Sequence, residues 1–199
     1  MLKIAIPYRD REEHLERFSR EGIKFFEQCG QPFKIIIVEQ SEGGLFNLGK
    51  LTNIGFDLFN KEGFSEEDSY IFQPVDCIPS SVDYSAPRGS FVKLTRPDEN
   101  HFYKAFSVDP RIYEKINGLT NNCSGWGAED DNLFTRLTAE NISVERRAMI
   151  MEEIFHETDT SNHWNFLAGF YKEDGVSSLD YSVVEETKRY GITTFICKI

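Results

Sequence analysis

The chain has 199 residues, of which 40% are hydrophobic and 17 are phenylalanine, enough to bury one sizeable core but too few for two comfortable domains. Its 33 acidic and 22 basic side chains give a net charge of -11, which argues against nucleic acid or an anionic membrane surface as a partner. An anionic ligand would therefore need a local binding feature, such as a helix N-terminus, a few well-placed basic side chains or a bound divalent cation.

The first seven residues form a short apolar run that passes into charged residues, which predicts a strand and not a signal peptide. No apolar stretch approaches the roughly 20 residues that span a bilayer, so we expect no membrane-spanning segment, while peripheral membrane association stays open. The four cysteines are widely spaced and form no CxxC pair. We therefore expect free thiols and a cytoplasmic location.

The first third of the chain alternates between strand and helix patterns. Apolar, β-branched runs predict buried strands, and apolar residues at helical spacing predict amphipathic helices. In chain order we predict a strand over residues 3–7, a helix over 11–29, a strand over 33–39, a helix over 50–59 and a strand over 69–73. This order predicts a β-α-β unit, and hence an α/β fold with ligands at the strand ends.

The rest of the chain is less regular. Residues 80–100 are rich in Ser, Pro, Asp and Gly, which predicts a looped excursion on one edge with a short strand over 90–94. A helix is predicted to open near Glu129, with Leu133, Phe134 and Leu137 facing inward. Strand-like residues follow at 143–151, and residues 192–198 predict a last strand in a mixed sheet.

An acidic residue, Asp76, follows the strand predicted over residues 69–73. Ligands of open α/β sheets gather at the carboxyl ends of strands, and a carboxylate there is suited to hold a cation that bridges two phosphates. The alternative is an aspartate in a turn beside Pro74 and Pro79. Two arginines, Arg9 and Arg11, follow the first strand and are suited to pair with phosphate, or else lie in a solvated helix start.

Residues 125–131 place two glycines around Trp126, ahead of three successive acids. The aromatic face can stack on a sugar ring, the carboxylates can bind hydroxyl groups, and one can act as a general base. The alternative is that the acids only stabilise the N-terminus of a helix and that Trp126 belongs to the core.

Glu153 and His156 lie three residues apart and offer a carboxylate and an imidazole, a pair compatible with Mn²⁺. As an isolated pair they equally suit a solvated surface. The stretch that follows lacks the HExxH spacing, which excludes a zinc protease of that class.

Five segments share their order and spacing with one known family. They are residues 7–15 (family Pro-Phe-Arg-Asn-Arg…His-Leu), 46–56 (Phe-Asn-Arg-Ala-Lys-Leu-Leu-Asn-Val-Gly-Phe), 75–79 (the end of Asp-Val-Asp-Leu-Ile-Pro), 117–136 (around Trp-Gly-Trp-Gly-Gly-Glu-Asp-Asp-Asp) and 174–181 (Asp-Gly-Leu-Asn-Ser-Leu-Thr-Tyr). The chain resembles the beta-1,4-galactosyltransferase family through nearly its whole length, and the Gly-Trp-Gly-x-Glu-Asp-Asp element is specific.

The resemblance implies one catalytic domain over residues 1–199 with a Rossmann-like nucleotide-sugar transferase fold of the GT-A type and a mixed central sheet. It implies Asp76 and His156 as metal ligands, Glu153 at the position of a further ligand, and Asp130 as general base. The implied substrate contacts are Pro7, Tyr8, Arg9, Arg11, Asn47, Lys50, Asn53, Val75, Trp126, Gly127, Glu129 and Asp131. The implied reaction is a single inverting displacement that is assisted by Mn²⁺.

The chain also departs from the family pattern. Pro74 replaces the first aspartate of Asp-Val-Asp, and Glu153 replaces a methionine ligand, which would harden the metal site and extend its use to Mg²⁺. Ser124 replaces the first tryptophan, and residues 103–107 lack a glycine pair. The acceptor is therefore not carried over.

The sequence thus predicts a glycosyltransferase that moves a hexose, most simply galactose, from a UDP-sugar to a sugar hydroxyl. UDP-N-acetylgalactosamine and UDP-glucose are alternative donors. A catalytically inactive UDP- or carbohydrate-binding module and a metal-dependent hydrolase of nucleotide sugars are the alternative functions. We expect a bacterial enzyme of surface polysaccharide synthesis.

Overall fold

The computed structural model describes residues 1–41, 43–97, 104–125, 127–156 and 173–199. Strand β1 (Leu2–Tyr8) lies parallel to β2 (Phe33–Gln40), as the predicted β-α-β unit requires. Between them, α1 (Glu12–Arg17) and α2 (Ile23–Gln28) are joined by one π-helical turn at Phe18–Gly22. The predicted helix is therefore confirmed as one nearly continuous helical segment.

The remaining elements complete an α/β fold. In chain order they are α3 (Leu48–Glu62), β3 (Ser69–Phe72), β4 (Cys77–Ser81), β5 (Phe91–Thr95), β6 (Ala105–Val108), α4 (Pro110–Lys115), α5 (Glu129–Ala139), β7 (Val144–Ala148), β8 (Ile150–Glu153), a 3₁₀ turn (Val176–Ser178), β9 (Ser182–Arg189) and β10 (Ile192–Lys198).

The main sheet has eight strands in the order β7-β5-β6-β3-β1-β2-β10-β9. Its centre is parallel, since β1 pairs in parallel with β2 and β3, and β2 with β10. Antiparallel pairs flank this centre on both sides, β3 with β6 and β10 with β9. The predicted mixed sheet is therefore confirmed. A separate two-stranded antiparallel sheet joins β4 and β8.

Strand β1 is buried along its whole length because helices cover both faces of the sheet. Ile4 and Ile6 belong to one apolar cluster with Phe18 of the first helical segment. Ala5, which points the other way, packs with residues of α3. Helix α3 approaches so closely that a Cβ added at Gly55 would lie 2.5 Å from the Cβ of Ala5.

Three predictions about the second half were wrong in part. The short strand predicted over 90–94 is confirmed as β5, but β5 lies within the sheet between β6 and β7 and not in an excursion at its edge. The strand predicted over 143–151 breaks at the buried Met149, which separates β7 in the main sheet from β8 in the small one. Phe134 faces outward at 51% exposure, because Leu133 and Leu137, four residues apart, already form the buried stripe of α5.

All four cysteines are free thiols in the structure. Within the described ranges, none of the helices combines the length and the apolar character that crossing a membrane requires.

Arg136 is a fully buried charge that ties α5 to the loop after α4. Its Nη1 donates hydrogen bonds to the carbonyl oxygens of Asn117 and Gly118, at 3.0 and 3.3 Å. Its Nε donates to Oδ1 of Asn132 at 2.6 Å, and its Nη2 lies 3.5 Å from Oδ2 of Asp174. The guanidinium thus satisfies several acceptors that have little access to water.

We expect Arg136→Met to lower the free energy of unfolding by about 3–5 kcal/mol, because the Asp174 carboxylate and the carbonyl groups would lose their buried donor. Urea titration followed by circular dichroism measures this. Arg88→Met is the control, since the exposed Arg88 makes only a surface ion pair with the exposed Glu66, at 3.7 Å. This variant should change the free energy of unfolding by less than about 0.5 kcal/mol. A loss below about 1 kcal/mol in the Arg136 variant would contradict this role.

Candidate active site

A cavity of about 630 Å³ opens at the carboxyl ends of β1 and β3, the edge of the sheet where the sequence predicts ligands. It gathers predicted site residues that are far apart in the chain. Of these, its lining includes Pro7, Tyr8, Arg9, Arg11, Val75, Asp76, Glu129, Asp130, Glu153 and His156. The structure therefore brings some of the predicted phosphate, metal and sugar contacts to one place.

Asp76 and His156 meet on the wall of this cavity. Nε2 of His156 lies 2.9 Å from Oδ2 of Asp76, and both side chains remain partly exposed, at 25% and 19%. The ring of His14 packs edge-on against that of His156, with 5.9 Å between centroids. Nε2 of His14 is buried and has no hydrogen-bond partner among the described residues. A carboxylate and two imidazoles thus lie side by side.

The small sheet holds Asp76 and His156 in reach of each other. Cys77 of β4 pairs with Glu153 of β8. Asp76 directly precedes β4 and His156 follows shortly after β8, so this pairing brings the two residues close together. The backbone N–H of Ile154 donates to the carbonyl oxygen of Asp76 at 2.8 Å. This contact fixes the backbone on both sides of the pair.

The turn that carries Asp76 is held by hydrogen bonds from Gln73, which is completely buried. Its Nε2 donates to the carbonyl oxygens of Pro74 and Cys77, at 3.0 and 2.8 Å. The hydroxyl of buried Tyr84 donates in turn to Oε1 of Gln73 at 2.5 Å. Sequence reasoning missed both side chains, because an amide and a phenol carry no chemical signature until their partners are known.

The phosphate-pairing prediction falls on the segment after β1. Nη1 of Arg9 donates to the carbonyl oxygen of Gly44 at 3.1 Å, and its guanidinium lies 5.6 Å from the centre of the Phe46 ring. The hydroxyl of Tyr8 donates to Glu12 and accepts from the backbone N–H of Arg11, each at 3.2 Å. Burial raises the pKa of Tyr8 to about 12, so it stays neutral at physiological pH.

Helix α5 presents its first acids to the cavity. Ala128, just before the helix, has a φ of 71°, an uncommon conformation for a residue with a side chain. Gly125 and Gly127 have φ values of 96° and 95°, which explains why glycine occupies both positions. Burial, followed by the nearby acids of the helix, raises the pKa of Glu129.

Several predicted contacts do not line the cavity. Asn47 caps α3 by accepting from the backbone N–H of Lys50 at 2.8 Å, and completely buried Asn53 bonds Tyr113 and Leu119. Lys50 lines a separate concavity of about 530 Å³, which Asn121 and Asp174 also line.

Two further predicted contacts, Gly127 and Asp131, are also absent from the cavity lining. The side chain of Asp131 is exposed on α5. Trp126 lies outside the described residues. The carboxylates that reach the cavity from this helix are therefore those of Glu129 and Asp130.

Glu153, the predicted further metal ligand, is held by two cations. Its Oε1 lies 2.9 Å from Nζ of Lys104, and its Oε2 lies 3.6 Å from Nη1 of Arg96. Lys104 also lines the cavity and was not predicted there, although residues 103–107 already depart from the family pattern. Within the part of the chain that the structure describes, no three His, Cys, Asp or Glu side chains are grouped closely enough to hold a metal ion by themselves.

Comparison with known families gives two matches. Residues 1–85 match the N-terminal region of glycosyl transferase group 7, and residues 95–160 match the N-terminal domain of galactosyltransferase. Beta-1,4-galactosyltransferase 1 of Bos taurus is 30% identical over 216 residues, which cover 97% of this chain and 52% of that protein. Beta-1,4-galactosyltransferase 4 of Homo sapiens is 27% identical, over 91% of this chain and 58% of that protein. The chain thus spans about half the length of these relatives.

Solved structures show the same fold. The catalytic domain of Drosophila beta1,4galactosyltransferase 7 with xylobiose has a TM-score of 0.85 and 20% identity, covering all of this chain and 93% of that one. A mutant of that enzyme in complex with manganese, UDP-Gal and xylobiose has a TM-score of 0.84. The predicted GT-A type of fold is confirmed. The order of the motifs, the matched families and the fold agree: this chain belongs to the beta-1,4-galactosyltransferase family.

Proposed function

We propose that this protein is a metal-dependent, inverting galactosyltransferase that moves galactose from UDP-galactose to a hydroxyl group of an acceptor sugar. The observation that carries the proposal is the single cavity that collects Arg9 and Arg11, the Asp76–His156 pair, and the acids Glu129 and Asp130. These groups match the three parts of the reaction, which are a diphosphate, a cation and a sugar hydroxyl.

The side chains of Asp76 and His156 fit a Mn²⁺ ion. They offer one carboxylate oxygen and one imidazole nitrogen 2.9 Å apart, a donor set that suits Mn²⁺, and both face the cavity. When bound, the ion supplies positive charge to the departing diphosphate. We also propose that Glu153, a hard oxygen donor in place of a methionine, extends metal use to Mg²⁺.

Asp130 is the proposed general base. Its carboxylate takes the proton of the acceptor hydroxyl as that oxygen forms a bond to the anomeric carbon of the donor. The bond between this carbon and the UDP oxygen breaks in the same step, and its electron pair leaves with UDP. Attack from the face opposite the leaving group inverts the configuration.

Donor, acceptor and cellular setting are part of the proposal. Galactose is favoured as the donor sugar by the names of the relatives, and UDP-N-acetylgalactosamine and UDP-glucose are the donors to compare. The proposed acceptor is a saccharide such as the xylobiose bound by the Drosophila enzymes. A role in cytoplasmic synthesis of surface polysaccharide also belongs to the proposal.

The test is UDP release from a panel of UDP-sugars with Mn²⁺, Mg²⁺ or EDTA, with and without GlcNAc, glucose and xylose acceptors. Metal-dependent release from UDP-galactose that an acceptor accelerates supports the proposal. Release that no acceptor accelerates would indicate a hydrolase of nucleotide sugars. UDP binding without release from any donor would indicate an inactive binding module.

The hydrogen bonds from Tyr84 to Gln73 and from Gln73 to the turn of Asp76 lead to a separate prediction. Tyr84→Phe should raise the Kd for Mn²⁺ about tenfold, because Gln73 loses the donor that orients its amide toward the turn. Electron paramagnetic resonance of free Mn²⁺ measures this Kd. Tyr181→Phe is a matched control, since it also removes a hydroxyl group, one that donates to Asp57 of α3 at 2.6 Å. An unchanged Kd together with a lower unfolding midpoint would show that Tyr84 only stabilises the fold.

A further inference from the structure

Lys104 is a basic side chain of the cavity wall with no assigned role. It directly precedes β6, and its backbone N–H donates to the carbonyl oxygen of Leu94 at 2.9 Å, which anchors it to β5. Its side chain is 21% exposed and faces the same cavity as Asp76. Among the described lining residues, the other permanently basic side chains are Arg9 and Arg11.

Lys104 belongs to a cluster of three charges. The Glu153 carboxylate lies between Lys104, at 2.9 Å, and Arg96, at 3.6 Å, so these three side chains, counted among the described residues, sum to a charge of +1. Glu153 pairs with Cys77 in the β4–β8 register, and Cys77 directly follows Asp76 in the chain. The cluster of Lys104, Glu153 and Arg96 therefore lies close to Asp76. Because the chain has a net charge of -11, an anion in this cavity depends on local basic side chains such as Lys104.

The arrangement also lets Lys104 change partners. If its ammonium group turns to an anion in the cavity, Glu153 keeps the guanidinium of Arg96 and is not left as an isolated charge. A lysine is a compact charge on a flexible stem, which suits a shift between a carboxylate and a phosphate oxygen.

Building on the proposed function, we propose that Lys104 binds the diphosphate of the nucleotide directly and exchanges Glu153 for a phosphate oxygen when the nucleotide enters. The ammonium group then supplies positive charge to the leaving diphosphate beside the cation site. This contact is a property of this chain, since the family has a glycine pair in this region.

Calorimetric titration with uridine, UMP and UDP in EDTA tests the proposal without metal or turnover. Lys104→Met should raise the Kd for UDP about 10- to 100-fold, the usual effect of losing a hydrogen bond to a charged group, and leave the Kd for uridine unchanged. Lys104→Arg should retain most of the affinity. Lys188→Met, which removes a charge from exposed β9, is the control and should change neither Kd.

Glu153→Gln tests the same contact in the opposite direction. It removes the competing carboxylate, so UDP should bind several-fold more tightly in EDTA while uridine binding stays the same. Equal UDP affinity in the parent chain, Lys104→Met and Glu153→Gln would overturn the role of Lys104 and leave the proposed function standing. Failure of the parent chain to bind UDP in EDTA would overturn the role of Lys104 alone, whereas failure to bind UDP with Mn²⁺ present as well would overturn both.

Discussion

Replacing Asp76 by alanine is expected to lower kcat/KM for sugar transfer by about 10³-fold, since a catalytic cation stabilises transition-state charge by several kcal/mol. Asp76 supplies the carboxylate of the proposed cation site, and His156 alone would hold the ion poorly. The same variant should lose the part of UDP binding that depends on Mn²⁺ and keep the part measured in EDTA. Calorimetry under the two conditions separates these contributions.

His156→Ala should behave like Asp76→Ala, because the two side chains are the proposed ligands of one cation. Asp180→Ala, which removes an exposed carboxylate outside the cavity, should leave transfer and UDP binding unchanged. Mn²⁺-dependent UDP binding that persists in both Asp76 and His156 variants would rule out the site.

Asp130→Asn is expected to lower kcat by about 10²- to 10⁴-fold, the usual contribution of a general base. The amide keeps the size of the side chain but accepts no proton, so the Kd for UDP should change by less than about twofold. Rapid-quench measurement of transfer and calorimetry of UDP binding give the two quantities. Glu114→Gln, on the exposed side of α4, is the control that also converts an acid to an amide.

Glu129 is the alternative candidate for the general base. It lines the same cavity, and burial raises the pKa of its carboxyl group, which places its titration closer to neutral pH. Full activity in Asp130→Asn together with a loss in Glu129→Gln would therefore move the base to Glu129.

The regular part of the fold was predictable because local patterns suffice for it. The continuous apolar run of β2 and the helical spacing in α3 both predict elements that the structure confirms. Asp76, Arg9 and Arg11 were predicted near a ligand because the ends of parallel strands meet at one edge of a sheet. For these residues, position in the chain and chemistry point to the same place.

Other features depend on contacts that no local pattern contains. Strand β9 reads SVVEETKR, with all but two side chains exposed, and forms only because β10 offers it an antiparallel partner. Residues 143–151 were predicted as one strand-like stretch, yet the structure divides this stretch between β7 and β8, which belong to two sheets. Asn47 and Asn53 match a family segment, while their hydrogen bonds show that they tie α3 to the loop beside it.

The wide separation of Asp76 and His156 links cation binding to folding. The two residues are 80 positions apart, so an unfolded chain holds them near each other only rarely, and the small β4–β8 sheet is what unites them. A cation that needs both groups binds the native state and not the denatured one, and thereby adds to the free energy of unfolding. If the proposed site holds Mn²⁺, the concentration of free metal in the surroundings should therefore set part of the thermodynamic stability of this protein, whether or not a nucleotide is bound.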